Sequence, residues 1–380
     1  MKQAPIGDSM RAISRGICGA TLVLAAGHAV AQSSVTLYGV VDVFGQYLNN
    51  GGTHSFSERS GGSTASLLGF KGSEDLGRGL TAEFDLESGF NVNNGTFFAD
   101  SNALFYRQAW IGLSHADFGS LSFGRQYQPS FKVAYAVDPF RINEVISPLA
   151  AAVLAIDRNT LSTQYATGRT SNSVNYQSPN LGGFTFNAMY AFSATVTQPL
   201  PSTSGNFLDV SATYSNYGLF AGFGYQYQHA GQLSFPGLPG RLDLVGTAHY
   251  TGAFAYRFGI VNLQFAYLYV QPKDAAPGSF AARLGTVHSV SIVQVGATIQ
   301  ATSQDAIQIA VIERNVRGSH DNTPGIQVGA DHSLSKRTSV YMRAGYMKNN
   351  GSATTSWPGI TVTEPNASQT LVLMGVTHRF

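Results

Sequence analysis

The sequence predicts an all-β fold, a 16-stranded antiparallel transmembrane β-barrel. Three observations support it: apolar and polar residues alternate with a period of two, tight turns alternate with longer polar segments, and only 12% of the residues are charged. Soluble proteins average about 25% charged residues, and alternation hides the hydrophobicity of a spanning strand. No stretch beyond the N-terminal region approaches about 18 consecutive apolar residues. A membrane protein built of helices is therefore excluded.

The N-terminal region has the features of a secretory signal peptide. Basic residues precede a short apolar run, and Ala29 and Ala31 occupy the small-x-small positions of a cleavage site. Cleavage is expected after Ala31, which divides the chain into a signal peptide, residues 1–31, and a barrel domain, residues 32–380. The apolar run has about half the length of a bilayer-spanning helix, so we expect no retained helix.

The mature chain is expected to be electrically neutral and free of cysteine. The signal peptide holds three basic residues and the acid Asp8, out of totals of 23 and 21, so 20 of each charge remain. Cys18, the single cysteine, also lies in the signal peptide, so disulfides do not stabilise the secreted chain. Neither the charge nor any basic arm favours a nucleic-acid partner.

Three stretches show the period of two most clearly. Residues 35–43 place Val and Leu side chains opposite Thr36, Tyr38 and Asp42, and residues 261–269 place large apolar side chains opposite Asn262 and Gln264. Residues 80–90 set apolar side chains opposite three acids, Glu83, Asp85 and Glu87. A helix would scatter those acids around its surface, so the pattern predicts strands.

Short turns and longer loops also alternate along the chain. The tight connections are residues 73–79, 114–119, 178–183, 215–218, 257–259, 301–306 and 333–338. Longer polar segments lie between them, for example residues 49–64 and 349–369. Seven turns and both termini on one side imply 16 strands and eight loops. An even strand number with short turns at one end is typical of outer-membrane barrels.

The chain ends in an alternating strand. Val372, Met374, Val376, His378 and Phe380 share one face, which is mostly apolar. This strand is expected to close the barrel against the first one, because an open edge in lipid leaves unpaired backbone groups. The alternative is an ordinary half-buried edge strand that ends in Phe.

Several stretches resemble the trimeric general porins of Gram-negative outer membranes, particularly the Neisseria and Burkholderia type. They are SSVTLYGVVD, GFKGSEDLGRGLTAEFDLESGF, FYRQAWIGLSHADFGSLSFGRQY, SNSVNYQSPNLGGF, SLSKRTSVYMRAGYMKNN and GVTHRF. They lie at both ends and in the middle of the mature chain. The resemblance implies an outer-membrane general diffusion porin that passes ions and small hydrophilic solutes, has no catalytic activity and needs no cofactor or metal.

The resemblance also implies a constriction. Roughly forty residues from Arg125 to Arg169 lack the period of two, and segments of this length are usually functional. In the porin family the loop after the fifth strand folds into the barrel, where its acids face basic wall residues across the pore. The matching acids are Asp138, Glu144 and Asp157, and the matching basic residues are Lys71, Arg107, Arg125 and Arg169. The alternative is an ordinary external loop.

Two features depart from the family pattern. Leu67 stands where many relatives have an arginine, so one lumen charge is missing. Arg125 shares the parity of Leu121 and Phe123, so its placement in the lumen needs a bulge or a break near Gly124. A weak anion preference or near-neutrality is expected.

The implied partners are a homotrimer, outer-membrane lipid (lipopolysaccharide), the barrel assembly machinery, which would recognise Phe380, and the permeating solutes. Three other functions stay open: a solute-specific channel for sugars or carboxylates, a barrel enzyme, and a soluble β-sandwich lectin. An aromatic ladder along the long segment would favour the first of these. Its aromatic residues, Tyr127, Phe131, Tyr135, Phe140 and Tyr165, are irregularly spaced. No spacing indicates a nucleophile, a phosphate loop or a transition-metal site.

Overall fold

The computed structural model describes residues 34–99, 102–153, 168–192, 206–234, 241–274, 288–357 and 364–380. The predicted signal peptide lies outside these residues. Among the described residues, no helix has the length and apolar character needed to cross a membrane.

Nineteen strands and two short helices make up the described chain. The strands are β1 (Ser34–Asn50), β2 (Thr53–Ser60), β3 (Leu67–Gly77), β4 (Leu80–Gly89), β5 (Gln108–His115), β6 (Gly119–Tyr127), β7 (Arg169–Gln177), β8 (Phe184–Ala191), β9 (Phe207–Asn216), β10 (Leu219–Gln228), β11 (Gly231–Ser234), β12 (Arg241–Leu244), β13 (Gly246–Phe258), β14 (Val261–Asp274), β15 (Val290–Gln300), β16 (Asp305–Val316), β17 (Asn322–Ser333), β18 (Thr338–Lys348) and β19 (Ser368–Arg379). The helices are α1 (Pro129–Tyr135) and α2 (Pro148–Val153).

Seventeen of these strands form one closed antiparallel sheet. The last strand pairs with the first, from Val40 opposite Arg379 to Asn50 opposite Gln369. The backbone of Phe380 extends this ladder, since Gly39 and Phe380 exchange N–H···O hydrogen bonds of 3.2 and 3.1 Å. The predicted closure against the first strand is confirmed, and it leaves no sheet edge open where β1 meets β19.

Two of the seventeen segments are halves of a single wall strand. β2 pairs with the second half of β1, and β3 pairs with its first half. The barrel therefore has 16 wall strands, as predicted. Residues 49–64, expected to be a long loop, instead turn at Gly51 and Gly52 and continue as β2. Only residues 61–66 leave the ladder, so the polar sequence of β2 concealed a strand. β11 and β12 form a separate two-stranded hairpin.

The two faces of the wall differ in polarity. Outward residues of β14 such as Leu263, Phe265 and Tyr267 are 40–48% exposed, whereas Gln264 and Ala266 between them are buried. The last strand repeats this pattern, with Met374 63% exposed. The alternation inferred from the sequence is therefore the alternation between the outer surface and the interior.

The seven predicted tight turns lie at one end of the barrel, where connections have two to six residues. Phe380 ends the chain at the same end, because β19 runs antiparallel to β18. The longer connections lie at the opposite end. Two of them, residues 128–168 and 349–367, contain residues that pack against the inner surface of the wall.

Candidate functional site

The described part of the connection between β6 and β7, residues 128–153, packs inside the barrel as a crossing segment. Its first helix, α1, packs on β9, β10 and β13, and its second helix, α2, packs on β15, β16 and β17. These last strands lie across the barrel from β6 and β7 in the order of the sheet. The alanine-rich residues 148–153 form α2.

Polar side chains anchor the connection at two points. Ser130, at the start of α1, donates from its backbone N (3.0 Å) and its Oγ (2.7 Å) to the carboxylate of Asp209 on β9. Asn143 donates from Nδ2 to the carbonyl oxygen of Gly61, at the break between β2 and β3 (2.9 Å). Because all four groups are buried or nearly so, these hydrogen bonds fix where the segment crosses the interior.

Apolar packing supports these anchors. Val133 and Leu149 are fully buried in a cluster with inward residues of β14 and β15, including Leu268 and Ile292. Burying one such side chain contributes about 1.5–3 kcal/mol. The interior of this barrel is therefore partly a packed core, and the segment is held to the wall strands β13 to β16.

Charged side chains meet on the side of the segment away from this apolar cluster, near β5 and β7. Arg107, just before β5, donates from Nε to Glu87 Oε1 at 2.5 Å, and its Nη1 lies 3.5 Å from Glu144 Oε1. Arg169, the first residue of β7, pairs through Nη1 with the same oxygen of Glu144. Its Nη2 donates to Tyr127 Oη at 2.7 Å, and its guanidinium lies over that ring. Glu144 thus joins the segment to two basic residues of the wall.

The environment of Glu144 keeps it ionised. Burial raises the pKa of its carboxyl, but the charges of Arg169, Arg107 and Arg125 outweigh this effect. The pKa of Glu144 consequently lies below its ordinary value. Charged partners within about 4 Å favour the carboxylate in this way.

Lys71 lies outside this group of charges. It is exposed on the inner face of β3, opposite Asp85 in the register, and its ammonium lies 5.2 Å from the ring centre of Tyr38. Tyr38 Oη donates to Asp85 (2.7 Å) and Glu87 (3.2 Å). Lys71 is therefore part of a mixed, exposed polar surface beside the buried ion pairs.

Arg125 lies at an irregularity of the wall, where the sequence required one. Gly124 has a φ of 126°, and the register of β6 against β7 shifts between Gly124 and Gln126. Arg125 donates from Nη1 to Ser171 Oγ at 3.0 Å, and its guanidinium lies 4.8 Å from the ring centre of Tyr106. The charge of Arg125 reaches Glu144, as the pKa of that carboxyl indicates.

The candidate acid Asp138 is separate from this group. Asp138 is 2% exposed and accepts hydrogen bonds from the backbone N of Phe140 and Ile142 and from Ser147 Oγ. It also accepts one from Gln294 on β15, away from the basic residues. Burial raises the pKa of this carboxyl despite those donors. Asp157 lies outside the described residues.

Leu67 lies beside the buried arginine. It faces Gly89 in the register of β3 and β4, and a Cβ atom at Gly89 would be 3.2 Å from Arg107 Cδ. Leu67 is 6% exposed. An arginine at position 67 would therefore bring a second like charge next to Arg107.

Three aromatic residues of the segment form a row that the irregular spacing did not suggest. Tyr127 and Phe131 stack with ring centres 5.6 Å apart, and Phe131 and Tyr135 follow at 6.0 Å. Phe131 is only 7% exposed, whereas Tyr135 is 41% exposed. The row packs α1 against its surroundings and does not offer a continuous aromatic surface.

A second connection also folds inward, which the sequence did not indicate. Trp357 is completely buried, and a Cβ atom at Gly345 on β18 would be 2.7 Å from its ring. Asn349 and Thr355 are buried beside it, and Thr323 of β17 donates to Asn349 Oδ1 at 2.9 Å. Residues 349–357 thus fill part of the interior next to β17 and β18. A tryptophan in an otherwise polar segment was the available signal.

Hydrogen bonds also fix the break in the second wall strand, residues 61–66 between β2 and β3. Asp42 on β1 is fully buried and accepts hydrogen bonds from the backbone N of Gly62 (2.8 Å) and Ser63 (3.1 Å) and from Tyr341 Oη (2.6 Å). Residues 61–66 are therefore held inside the wall, where Asn143 reaches them. Within the described residues, no cluster of three or more His, Cys, Asp or Glu side chains is arranged to hold a metal ion.

Sequence comparison supplies the family. A model of the Gram-negative porin family matches residues 19–352. The chain belongs to the Gram-negative porins. An outer membrane porin protein of Bordetella pertussis is 28% identical over 96% of this chain and 99% of its own length. Outer membrane porin protein 32 of Delftia acidovorans is 28% identical over 97% and 100%.

Solved structures agree with the fold. The anion-selective porin from Comamonas acidovorans superimposes with a TM-score of 0.76 at 25% identity, covering 92% of this chain and 100% of that one. OmpT of Vibrio cholerae in its trimer form has a TM-score of 0.63 at 13% identity, over 92% and 99%, and shows the fold alone. The predicted family and 16-stranded barrel are confirmed. This porin is an outer-membrane channel for the passive diffusion of ions and small hydrophilic solutes.

Proposed function

We propose that residues 128–168 narrow the pore of this porin and that Glu144 faces the basic wall residues there. The observation that supports the proposal is the position of Glu144, which is on the crossing segment and pairs with Arg107 and Arg169 of the wall. Fixed charges in a narrow pore with low-dielectric walls act strongly on passing ions and dipoles. Lys71 and Arg125 add positive charge beside these pairs.

The preference for anions or cations then depends on the charges in the pore that are not neutralised by ion pairs. Arg107 and Arg169 are balanced by Glu87 and Glu144, so the buried group is formally neutral. Lys71 faces Asp85, and Asp138 uses its carboxylate within the segment. The proposed preference for anions is therefore weak, and it grows at low salt as screening falls.

Replacing residues 130–160 by a short Gly-Ser linker tests the constriction. The proposal expects a larger single-channel conductance in planar bilayers and passage of larger solutes, because the linker leaves the interior open. A matched control shortens the exposed turn at residues 334–337, at the other end of the barrel. If the linker variant inserts and conducts like the wild type, the segment does not narrow the pore.

A solute-specific channel is the second candidate. The exposed ring of Tyr135 on the segment favours it, since the face of an aromatic ring can pack on the apolar face of a sugar or similar solute. Saturable current block by one sugar or carboxylate, lost in Tyr135→Ala and retained in an exposed control such as Tyr217→Ala, would establish it. Block by every solute in proportion to its size favours general diffusion.

We also propose that the porin has no catalytic activity. One hydroxyl, carboxylate and imidazole do meet outside the interior: Thr302 Oγ1 and His332 Nδ1 contact opposite oxygens of Asp305 at 2.5 and 2.7 Å. The acid lies between the other two groups. The imidazole therefore binds the carboxylate and is not positioned to activate the hydroxyl, as a nucleophile would require.

The remaining proposals concern assembly. Residues 1–31 are removed on export, the mature protein forms a homotrimer in contact with lipopolysaccharide, and the barrel assembly machinery recognises Phe380. Phe380 is 45% exposed on the outward side of the last strand, which supports the last of these. N-terminal sequencing, gels with and without heating, and the outer-membrane yield of a Phe380→Ala variant test the three in turn. An unprocessed N-terminus, one monomer band or an unchanged yield contradicts the corresponding proposal.

A further inference from the structure

A polar cavity lies inside the barrel, on the side of the crossing segment that faces the short turns. Its volume is about 530 Å³, within the range of small-molecule sites. Amide and hydroxyl side chains line much of it, and four arginines reach it: Arg141, Arg257, Arg343 and Arg379. None of these arginines belongs to the group around Glu144.

The four arginines differ in how far they are already engaged. Arg343 is buried and donates from Nη2 to Asp331 at 2.6 Å and from Nη1 to two backbone carbonyls. Arg379 is exposed and makes one long hydrogen bond, 3.4 Å, to Thr64. Arg141 and Arg257 are exposed, and no described residue forms a hydrogen bond or ion pair with either guanidinium.

The acids of the cavity do not neutralise these open arginines. Asp331 is held by Arg343 and also accepts from Gln308 Nε2 at 2.5 Å. Asp138 accepts from its own segment and from Gln294. Among the described residues that line the cavity, two carboxylates face four guanidiniums, and both carboxylates already accept hydrogen bonds. Within this part of the chain, positive charge is therefore in excess.

The backbone of the crossing segment is strained where it presents Arg141. Arg141 has a φ of 54° and the next residue, Ile142, a φ of 43°. Residues other than glycine rarely adopt a positive φ, and β-branched residues such as isoleucine do so least often. The carboxylate of Asp138 holds the turn, because it accepts the N–H of Phe140 and of Ile142. Strain that neighbouring groups maintain is typical of functional positions.

We propose that this cavity is a binding subsite for small oxyanions, in which Arg141 and Arg257 hold a phosphate or carboxylate group. A guanidinium presents paired donors that match these groups bidentately, and charge-assisted hydrogen bonds are about twice as strong as neutral ones. The surrounding amides, such as Gln264 and Gln304, suit the hydroxyls or second acid group of a small organic anion. Asp138 is a positioning residue for Arg141. The subsite rests on the proposed function only in that solutes reach it through the pore.

Isothermal titration of the full-length protein in detergent, at low salt, tests the subsite. Inorganic phosphate and succinate serve as probes for the two oxyanion groups. The test variants are Arg257→Gln and the double variant Arg141→Gln/Arg257→Gln. Lys336→Gln is the control, because Lys336 is exposed in a short turn at the same end of the barrel and does not line the cavity.

We expect phosphate, succinate or both to bind the wild type, and each lost arginine to weaken binding about tenfold. Lys336→Gln should bind as the wild type does. Because no described residue forms a hydrogen bond or ion pair with the Arg257 guanidinium, the single variant should fold and remains informative if the double variant fails to assemble. Absence of binding for both probes, unchanged affinity in Arg257→Gln, or an equal loss in Lys336→Gln would overturn the subsite.

Conductance measured on the same preparations separates this inference from the proposed constriction. If the variants conduct normally but binding does not depend on the arginines, the subsite is refuted and the proposed constriction is unaffected. If binding depends on the arginines but conductance does not change when the crossing segment is replaced, the constriction is refuted and the subsite stands.

Discussion

Glu144→Gln is the change that bears most directly on the proposed constriction. The glutamine keeps the shape of the side chain but removes its charge. In the wild type, the side chains of Arg169 and Glu144 are 1% and 17% exposed, so their ion pair is largely buried. Arg107 would keep Glu87 at 2.5 Å, whereas Arg169 would lose the carboxylate with which it pairs. The group would pass from neutral to a net charge of +1.

Two magnitudes follow from this geometry. Leaving one partner of a buried ion pair without its counter-charge costs about 3–5 kcal/mol, so the segment should be held less firmly. For ions in the pore, a unit charge acting across about 8 Å of water contributes about 0.5 kcal/mol unscreened and about 0.2 kcal/mol at 0.15 M salt. Because anions and cations shift in opposite directions, the anion-to-cation permeability ratio should rise about sixfold at low salt and about twofold at 0.15 M.

The assay is the zero-current potential across a planar bilayer in a tenfold KCl gradient, repeated at low and physiological salt. Asp117→Asn provides the control, because it removes the same charge from a turn where the side chain is 81% exposed. A potential that stays where the wild type has it, or moves towards cations, would refute the position of Glu144 at the constriction. An equal shift in Asp117→Asn would attribute the effect to net charge.

Three further predictions use related measurements. The difference in selectivity between the wild type and Glu144→Gln should persist until the pH is well below the ordinary Glu value of about 4.3, because the pKa of Glu144 is depressed and its charge is lost only as pH falls through that lowered value; the two zero-current potentials should then converge. Lys71→Glu should move the zero-current potential towards cations, by about fourfold in permeability ratio at 0.15 M for a change of two charges, whereas Arg78→Glu in an exposed turn should not; an unmoved potential in the first variant would exclude Lys71 from the pore lining. Trp357→Ala should destabilise the barrel by about 3–5 kcal/mol and raise single-channel conductance, seen as a lower unfolding temperature and larger current steps, while Trp357→Phe should do less of both; unchanged values would mean that residues 349–357 do not occupy the conducting space.

The outer surface of this barrel was readable from the sequence because it depends on parity alone. Leu263 and Phe265 alternate with Gln264 in the chain, and they alternate between outside and inside in the structure. Turn positions could also be predicted from the sequence, because Gly and Asn residues interrupt the alternation there. β2 was not predicted as a strand, because its polar residues, such as Ser57 and Glu58, form no apolar face.

The interior was less predictable, because its contacts join residues distant in sequence. Asp138 and Glu144 are both acids of one segment, yet one holds a turn against β15 and the other meets two arginines. No local pattern separates them. Likewise, Arg125 needed a break near Gly124, and only the register between β6 and β7 shows where that break lies.

The sequence by itself therefore determined the family, the strand number and the outward face, since alternation, turn residues and motifs are local properties of the chain. The tertiary structure alone decided what fills the interior. Trp357 and the break held by Asp42 lie there because closure of the barrel brings β1, β17 and β18 together. Which arginines end in ion pairs, and which stay exposed, follows from that closure, since a charge finds its partner on a neighbouring strand or on the crossing segment rather than along its own strand.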